Sequence, residues 1–287
     1  MFEAALSDAQ ARVQAALDDA MAGLDGTVAD AMRYTCQGGK RLRAFLVMEG
    51  ARLHGVPAPQ ADRVAAAIEM IHAYSLVHDD LPCMDDDDLR RGNPTVHVKW
   101  DDATAVLTGD ALQSLAFEVL SDPRSGDADV TVALVASLAR ASGAQGMVLG
   151  QVLDIEAETA ERPLNLEQIT RLQAGKTGAL IEWSACAGAV LSRADPTPLR
   201  QYAQALGLAF QIADDILDIE GDAAKAGKRL RKDCTAGKAT FVSLLGMQAA
   251  KARAEALVSE AQSALAPYGA AADNLKAAAR FTITRDT

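Results

Sequence analysis

Apolar residues recur at intervals of three and four along most of the chain. Val64, Ile68 and Ile71, followed by Ser75, show this spacing, and Leu172, Leu180 and Trp183 repeat it with Ala and Gly between them. Such spacing places the apolar side chains on one face of a helix. Prolines at 57, 59, 82, 94, 123, 163, 196, 198 and 267 leave long proline-free stretches between them. The segments HGVPAPQ (54–60), SDPRSGDAD (121–129), ERPLN (161–165) and SRADPTP (192–198) read as turns. Asn165 and Thr197 are placed to serve as helix N-caps near them. The pattern predicts an all-α fold, a single large bundle of about ten or more helices. No stretch alternates convincingly as a strand. ARFTITRD near the end is the only β-looking segment, and a lone strand would have nothing to pair with. No linker or low-complexity stretch divides the chain, so residues 1–287 are expected to form one domain.

Composition agrees with helices. Apolar residues make up 49% of the chain but aromatic ones only 4%, so Ala, Leu, Val and Ile must fill the core. The apolar stretches fall short of the roughly 20 residues that span a bilayer. The start MFEAALSDAQARV lacks a basic region followed by an apolar one, so no secretory signal and no membrane span are expected. Cys36, Cys83, Cys186 and Cys234 are scattered, without a CxxC pair, which fits a reducing cytoplasm. A net charge of −11 excludes nucleic acid as the partner. Small anionic substrates stay compatible with it, provided metal ions and a few concentrated basic residues receive them.

Two acidic clusters carry the chemistry. The first lies in LVHDDLPCMDDDDLRRGNP and holds Asp79, Asp80 and Asp85 to Asp88, with Arg90 and Arg91 after them. The second lies in QIADDILDIEGD and holds Asp214, Asp215, Asp218, Glu220 and Asp222. Gln211, Asp214, Asp215 and Asp218 form one helical stripe, with Ile212, Ile216 and Ile219 on the buried side. In a straight helix Asp79 and Asp85 would stand about 9 Å apart and roughly 120° around the axis from each other. Pro82 should unwind the helix between them and let both reach one ion. Carboxylates gathered in one cavity repel without cations, and oxygen-only ligands suit magnesium with water and phosphate oxygens. Taken singly, each cluster also fits a solvated acidic surface. Together, at two helix ends with arginines adjacent, they describe a diphosphate held through magnesium.

At these residues the chain resembles the trans-prenyl diphosphate synthases, most closely the bacterial-type farnesyl diphosphate synthases, from GGKRLR (38–43) to GKAT (237–240). The family's first motif appears as DDLPCMD (79–85) and its second as DDILD (214–218). The resemblance implies an isoprenoid-synthase fold, a homodimer, and magnesium, three ions, bound with the allylic diphosphate. Asp79, Asp85 and Asp214 become ligands, with Asp218 acting through water, and Asp80 and Asp215 join them in the catalytic motifs. Arg90, Lys176, Thr177, Gln211, Lys228 and Lys238 become contacts to the allylic diphosphate. Lys40, Arg43, His72 and Arg91 become a separate, metal-free site for isopentenyl diphosphate. Family members usually carry proline after the GGKRLR run, where this chain has Ala44; that position starts a helix, where alanine is tolerated.

The implied reaction is ionisation, condensation and elimination. The allylic diphosphate, dimethylallyl or geranyl, loses its diphosphate, and the double bond of isopentenyl diphosphate attacks the cation. No Ser–His–Asp or Cys–His arrangement is needed, and none is visible. Ser75 lies one helical turn below Asp79 and Tyr74 on its flank. In the family an aromatic at this depth stops growth at fifteen carbons, so Tyr74 implies farnesyl diphosphate, with a geranylgeranyl (twenty-carbon) synthase as the alternative. A non-catalytic synthase subunit would have lost aspartates from one motif. A terpene cyclase, like a head-to-head synthase, would lack both DDILD and the Lys40–Arg43 run, and a calcium buffer would need no Gln211, Lys176 or Arg90.

Overall fold

The computed structural model describes residues 1–220 and 239–284. Among them the fold is all-α apart from one minimal hairpin. The chain divides into two compact units, Glu3–Ala136 with Ala187–Ala194, and Ser137–Cys186 with Asp195–Thr287.

The first unit is built on α4 (Ala58–Asp79), which follows α1 (Phe2–Met21), α2 (Gly26–Thr35) and α3 (Leu42–Leu53). Pro59 sits in the first turn of α4, where its missing N–H costs nothing. Val64, Ile68 and Ile71 are buried, as their spacing predicts, but so are Ala65, Ala66, Ala67, Met70 and Ala73. A helix buried almost all round is a core helix, not an amphipathic surface one. After a short helix α5 (Val96–Lys99) comes α6 (Asp102–Ser121), which packs along α4. Gly109 permits their closest approach: a Cβ there would lie 2.0 Å from Nε2 of His78.

The second unit carries α8 (Met147–Glu158), α9 (Leu166–Gln173), α11 (Thr197–Glu220), α12 (Phe241–Leu245), α13 (Met247–Ala264) and α14 (Asp273–Thr284). Asn165 caps α9 as expected: its side chain accepts from Gln168 N–H at 3.0 Å, and the Gln168 side chain accepts from Asn165 N–H at 2.9 Å. At the start of α11 the cap differs from expectation. The Thr197 hydroxyl donates instead of accepting: it and the Thr197 N–H both bond Oδ1 of Asp195, at 2.7 and 3.0 Å. A five-residue π-helix, Ala174–Gly178, joins α9 to α10 (Ala179–Leu191).

Three further expectations change. The described part of ARFTITRD is helical: Arg280 to Thr284 complete α14, whose Leu275, Ala278, Ala279 and Thr282 form a buried stripe. Ile212 is buried but Ile219, in the last turn of α11, is exposed. The stretch Ala128–Glu158, comprising α7 (Ala128–Ser142), a turn and α8, is long and apolar enough to cross a membrane, with 28% of its most apolar window buried. On α8, Val148, Val152 and Ile155 form an exposed stripe.

Candidate diphosphate site

The first acidic motif forms where α4 ends. The helix stops at Asp79, three residues before Pro82, and the chain folds back on itself. Asp85 N–H donates to Asp79 C=O at 2.9 Å, Asp86 N–H to Leu81 C=O at 3.2 Å, and Asp87 N–H to Asp80 C=O at 3.2 Å. Amides of the acidic loop thus satisfy carbonyls that a helix end leaves open. Asp85 is brought back beside Asp79, which a straight helix could not do. Among the described residues, no group of three or more His, Cys, Asp or Glu side chains is arranged to bind a metal alone. Magnesium uses one or two carboxylates and completes its octahedron with water and phosphate oxygens. Asp79 and Asp85 fit that ion.

Asp80 faces inward and has a different task. It is 3% exposed, and Arg90 grips it through Nε at 2.7 and 2.9 Å and Nη2 at 2.5 Å. Burial pushes the Asp80 carboxyl above its usual range while Arg90 pulls it down. The bidentate geometry is that of an ionised pair. Arg90 belongs to a strand, Leu89–Arg90, paired antiparallel with Asn93–Pro94. Arg91 and Gly92 form its two-residue turn with φ of 54° and 77°, the positive values a type I′ turn requires. The hydroxyl of Tyr34 donates to Pro94 C=O at 2.7 Å and ties this hairpin to α2.

In the same unit a basic cluster forms around Glu69. Glu69 is 2% exposed and is the only acidic residue within the buried stretch of α4. Its Oε2 accepts from Arg41 Nη1 at 3.0 Å and its Oε1 from Ala44 N–H at 3.0 Å. Arg41 also donates to Cys36 C=O. A proline at position 44 could not make the second bond to Glu69. Arg43 stays outside this arrangement: its buried Nε has no partner among the described residues. Desolvation lowers its pKa; the charge of Glu69 opposes this and that of Arg91 adds to it. Arg91 lies over Gly39, where a Cβ would stand 2.7 Å from its Cζ. Desolvation first, then the charges of Arg43, Arg91, Arg90 and Arg41, hold His72 well below its ordinary pKa, so its imidazole is neutral at neutral pH. Arg43, His72 and Arg91 thus lie within electrostatic reach of one another, while Lys40 is exposed.

Tyr74 is buried, its ring edge-on to His78 with centroids 5.7 Å apart. Its hydroxyl approaches Gln113 without full hydrogen-bond geometry. The Ser75 hydroxyl donates to His72 C=O at 2.8 Å, within its own helix. His78 was not singled out in the sequence. It bonds Val106 C=O at 3.0 Å against the bare backbone of Gly109, pinning the last turn before Asp79 to α6. Its place directly before the DD pair was the available signal.

In the second unit, Gln211, Asp214, Asp215 and Asp218 are half-buried on α11. Asp215 Oδ2 accepts Phe241 N–H at 2.6 Å and helps cap α12. Glu220 pairs with Lys251 at 2.8 Å. Lys176 and Thr177 both fall in the π-helix, a rare backbone form that is frequent at functional sites. Lys176 Nζ lies 2.7 Å from Asp154 Oδ2 on α8. Asp154 too was missed, although Gly146, Gly150 and Asp154 recur every four residues. Lys228, Lys238 and Asp222 lie outside the described residues.

Comparison with known proteins converges on one group. A family profile described as polyprenyl synthetase matches residues 25–272. The chain is 45% identical over 264 residues to a farnesyl diphosphate synthase of Haemophilus influenzae, covering 89% of this chain and 88% of that one. It is 49% identical over 236 residues to a farnesyl diphosphate synthase of Escherichia coli, covering 79% and 78%. The apo crystal structure of an FPP/GFPP synthase from Zymomonas mobilis superposes with a TM-score of 0.90 at 45% identity, covering 98% of each chain.

Proposed function

We propose that this chain, which belongs to the polyprenyl synthetase family, condenses isopentenyl diphosphate with dimethylallyl or geranyl diphosphate to make farnesyl diphosphate. One observation carries the reading. Within one unit, an acidic helix end and a basic cluster in which one buried carboxylate, Glu69, faces several arginines are linked by a single hairpin bearing Arg90 and Arg91. A site that must hold one diphosphate through metal and another without it needs that division.

In this reading Asp79 and Asp85 hold magnesium from the first motif, and Asp214, supported by Asp218, from the second. When bound, the magnesium ions neutralise charge on the departing diphosphate. Lys176, Thr177, Gln211 and Arg90, with Lys228 and Lys238, orient the allylic diphosphate. Arg43 and Arg91 receive isopentenyl diphosphate through charge, Lys40 at the rim adds to them, and neutral His72 donates one hydrogen bond. Asp80 acts through Arg90, and Asp215 through the start of α12. Tyr74 closes the apolar space below the first motif and limits the product to fifteen carbons. The chain supplies position and charge, and its own side chains form no covalent bond to substrate.

A second copy of the chain covers the Val148, Val152 and Ile155 stripe, which makes the enzyme a homodimer, and a cytoplasmic location goes with this reading. The test is direct. Purified chain is given isopentenyl diphosphate, geranyl diphosphate and magnesium, and products are resolved by chain length. A principal fifteen-carbon product supports the proposal. A principal twenty-carbon product supports the geranylgeranyl alternative, and no condensation rejects both.

A further inference from the structure

Asp154 and Lys176 are joined by more than an ion pair. Gly146 is the N-cap of α8, and Gly150 and Asp154 follow it at four-residue steps, one turn apart on the helix. At the first two positions the π-helix comes into backbone contact with this segment. A Cβ on Gly150 would stand 2.0 Å from Lys176 N, and one on Gly175 would stand 3.0 Å from Gly146 C=O and 3.1 Å from Gly150 Cα. Side chains at these glycines would push the segments apart, and aspartate is too short to bridge a wider gap. With both glycines bare, Asp154 Oδ2 reaches Lys176 Nζ at 2.7 Å. Both side chains are largely shielded, with 13% and 25% exposure for Asp154 and Lys176. Asp154 also lines a cavity of about 120 Å³ with Gln173, Asp215 and Thr240.

We propose that Asp154 is the positioning residue for Lys176. It anchors the ammonium group and so sets where Lys176 meets the allylic diphosphate. The proposal rests on the reading of Lys176 as a diphosphate contact. The pairing has two opposed effects. Asp154 restricts a side chain with large rotamer freedom, which favours the transition state, and its negative charge opposes anion binding. Loss of Asp154 therefore lowers kcat without raising KM for the allylic substrate. A merely structural role would instead raise KM and lower the melting temperature.

The experiment is a double-mutant cycle of Asp154→Asn and Lys176→Met. Asp154→Asn is expected to lower kcat about tenfold, with KM for geranyl diphosphate unchanged or lower. On the Lys176→Met background it should change nothing further. Asp154→Glu, which keeps the charge, should recover part of the loss, and it replaces Asp154→Asn in the cycle if that variant does not fold. An unchanged kcat, or an equal loss on both backgrounds, overturns the proposal. Calorimetry with magnesium and inorganic pyrophosphate reads the pair without turnover. Asp154→Asn removes a negative charge on either background, so it should bind tighter on both but by a larger factor where Lys176 is present, and an equal change on both also overturns the proposal. A wild-type chain that makes no product would sink the synthase reading, while this binding arm still decides whether Asp154 acts through Lys176.

Discussion

Asp85 N–H and Asp79 C=O meet at 2.9 Å, which sets the two ends of the first acidic motif side by side. The bond belongs to the backbone, so side-chain exchange leaves it intact. Asp79→Asn and Asp85→Asn should fold like the parent and lose roughly a thousandfold in kcat/KM, the several kcal/mol a bound metal ion supplies. Steady-state assays with magnesium titration check this. Chelation should abolish activity, and added magnesium should restore it.

Tyr74 separates two properties of one side chain. Because its buried hydroxyl has no full hydrogen bond, Tyr74→Phe should leave both stability and the fifteen-carbon product unchanged. Tyr74→Ala opens the space and should shift products toward twenty carbons, with a loss of about 3–5 kcal/mol in stability. Product analysis of the two variants together tests the ring; an unchanged profile in Tyr74→Ala removes Tyr74 from the account of chain length.

Gly109 is a steric requirement. Alanine there would put its Cβ 2.0 Å from His78 Nε2, so α4 and α6 must separate or His78 must give up Val106 C=O. Gly109→Ala should destabilise by about 1–3 kcal/mol and weaken magnesium activation, since the turn preceding Asp79 loses its anchor. Gly23→Ala, where an added Cβ meets nothing within 4 Å, should leave magnesium activation near that of the parent, which controls for general damage.

His72 makes stability fall in acid. Its pKa in the folded protein lies well below 6.5, so the folded state binds fewer protons than the unfolded state just below that pH. The stability associated with neutral His72 is complete above pH 6.5 and is lost as the pH falls toward the folded value. Gln cannot titrate, so the stability gap between the parent and His72→Gln should narrow between roughly pH 7 and 5. Melting curves across that range check the sign.

Much of this was legible because helical period and helix-ending chemistry are local. The buried face of α4, the Asn165 cap and the unwinding near Pro82 all follow from neighbouring residues. The end of the chain misled because Phe281, Thr282, Ile283 and Thr284 have β-branched or aromatic side chains. The stripe of Leu275, Ala278, Ala279 and Thr282 begins before them and outweighs that propensity. What stayed hidden depends on contacts between segments. No propensity announces the π-helix, and only the packing on Gly150 shows why Lys176 sits where it does. Nor does the sequence tell that Arg41, not Arg43, is taken by Glu69. Ala44 is more than a tolerated departure from proline, since its amide completes that selection.

The unbonded Nε of Arg43 also bears on how long each molecule survives. An interior donor lacking an acceptor is a standing weakness of the empty chain, and any anion that fills it shifts the folding equilibrium by mass action. Proteases that sample the unfolded population would then clear idle copies faster than occupied ones. An anion seated against Arg43 would in that way lengthen the life of the chain that holds it.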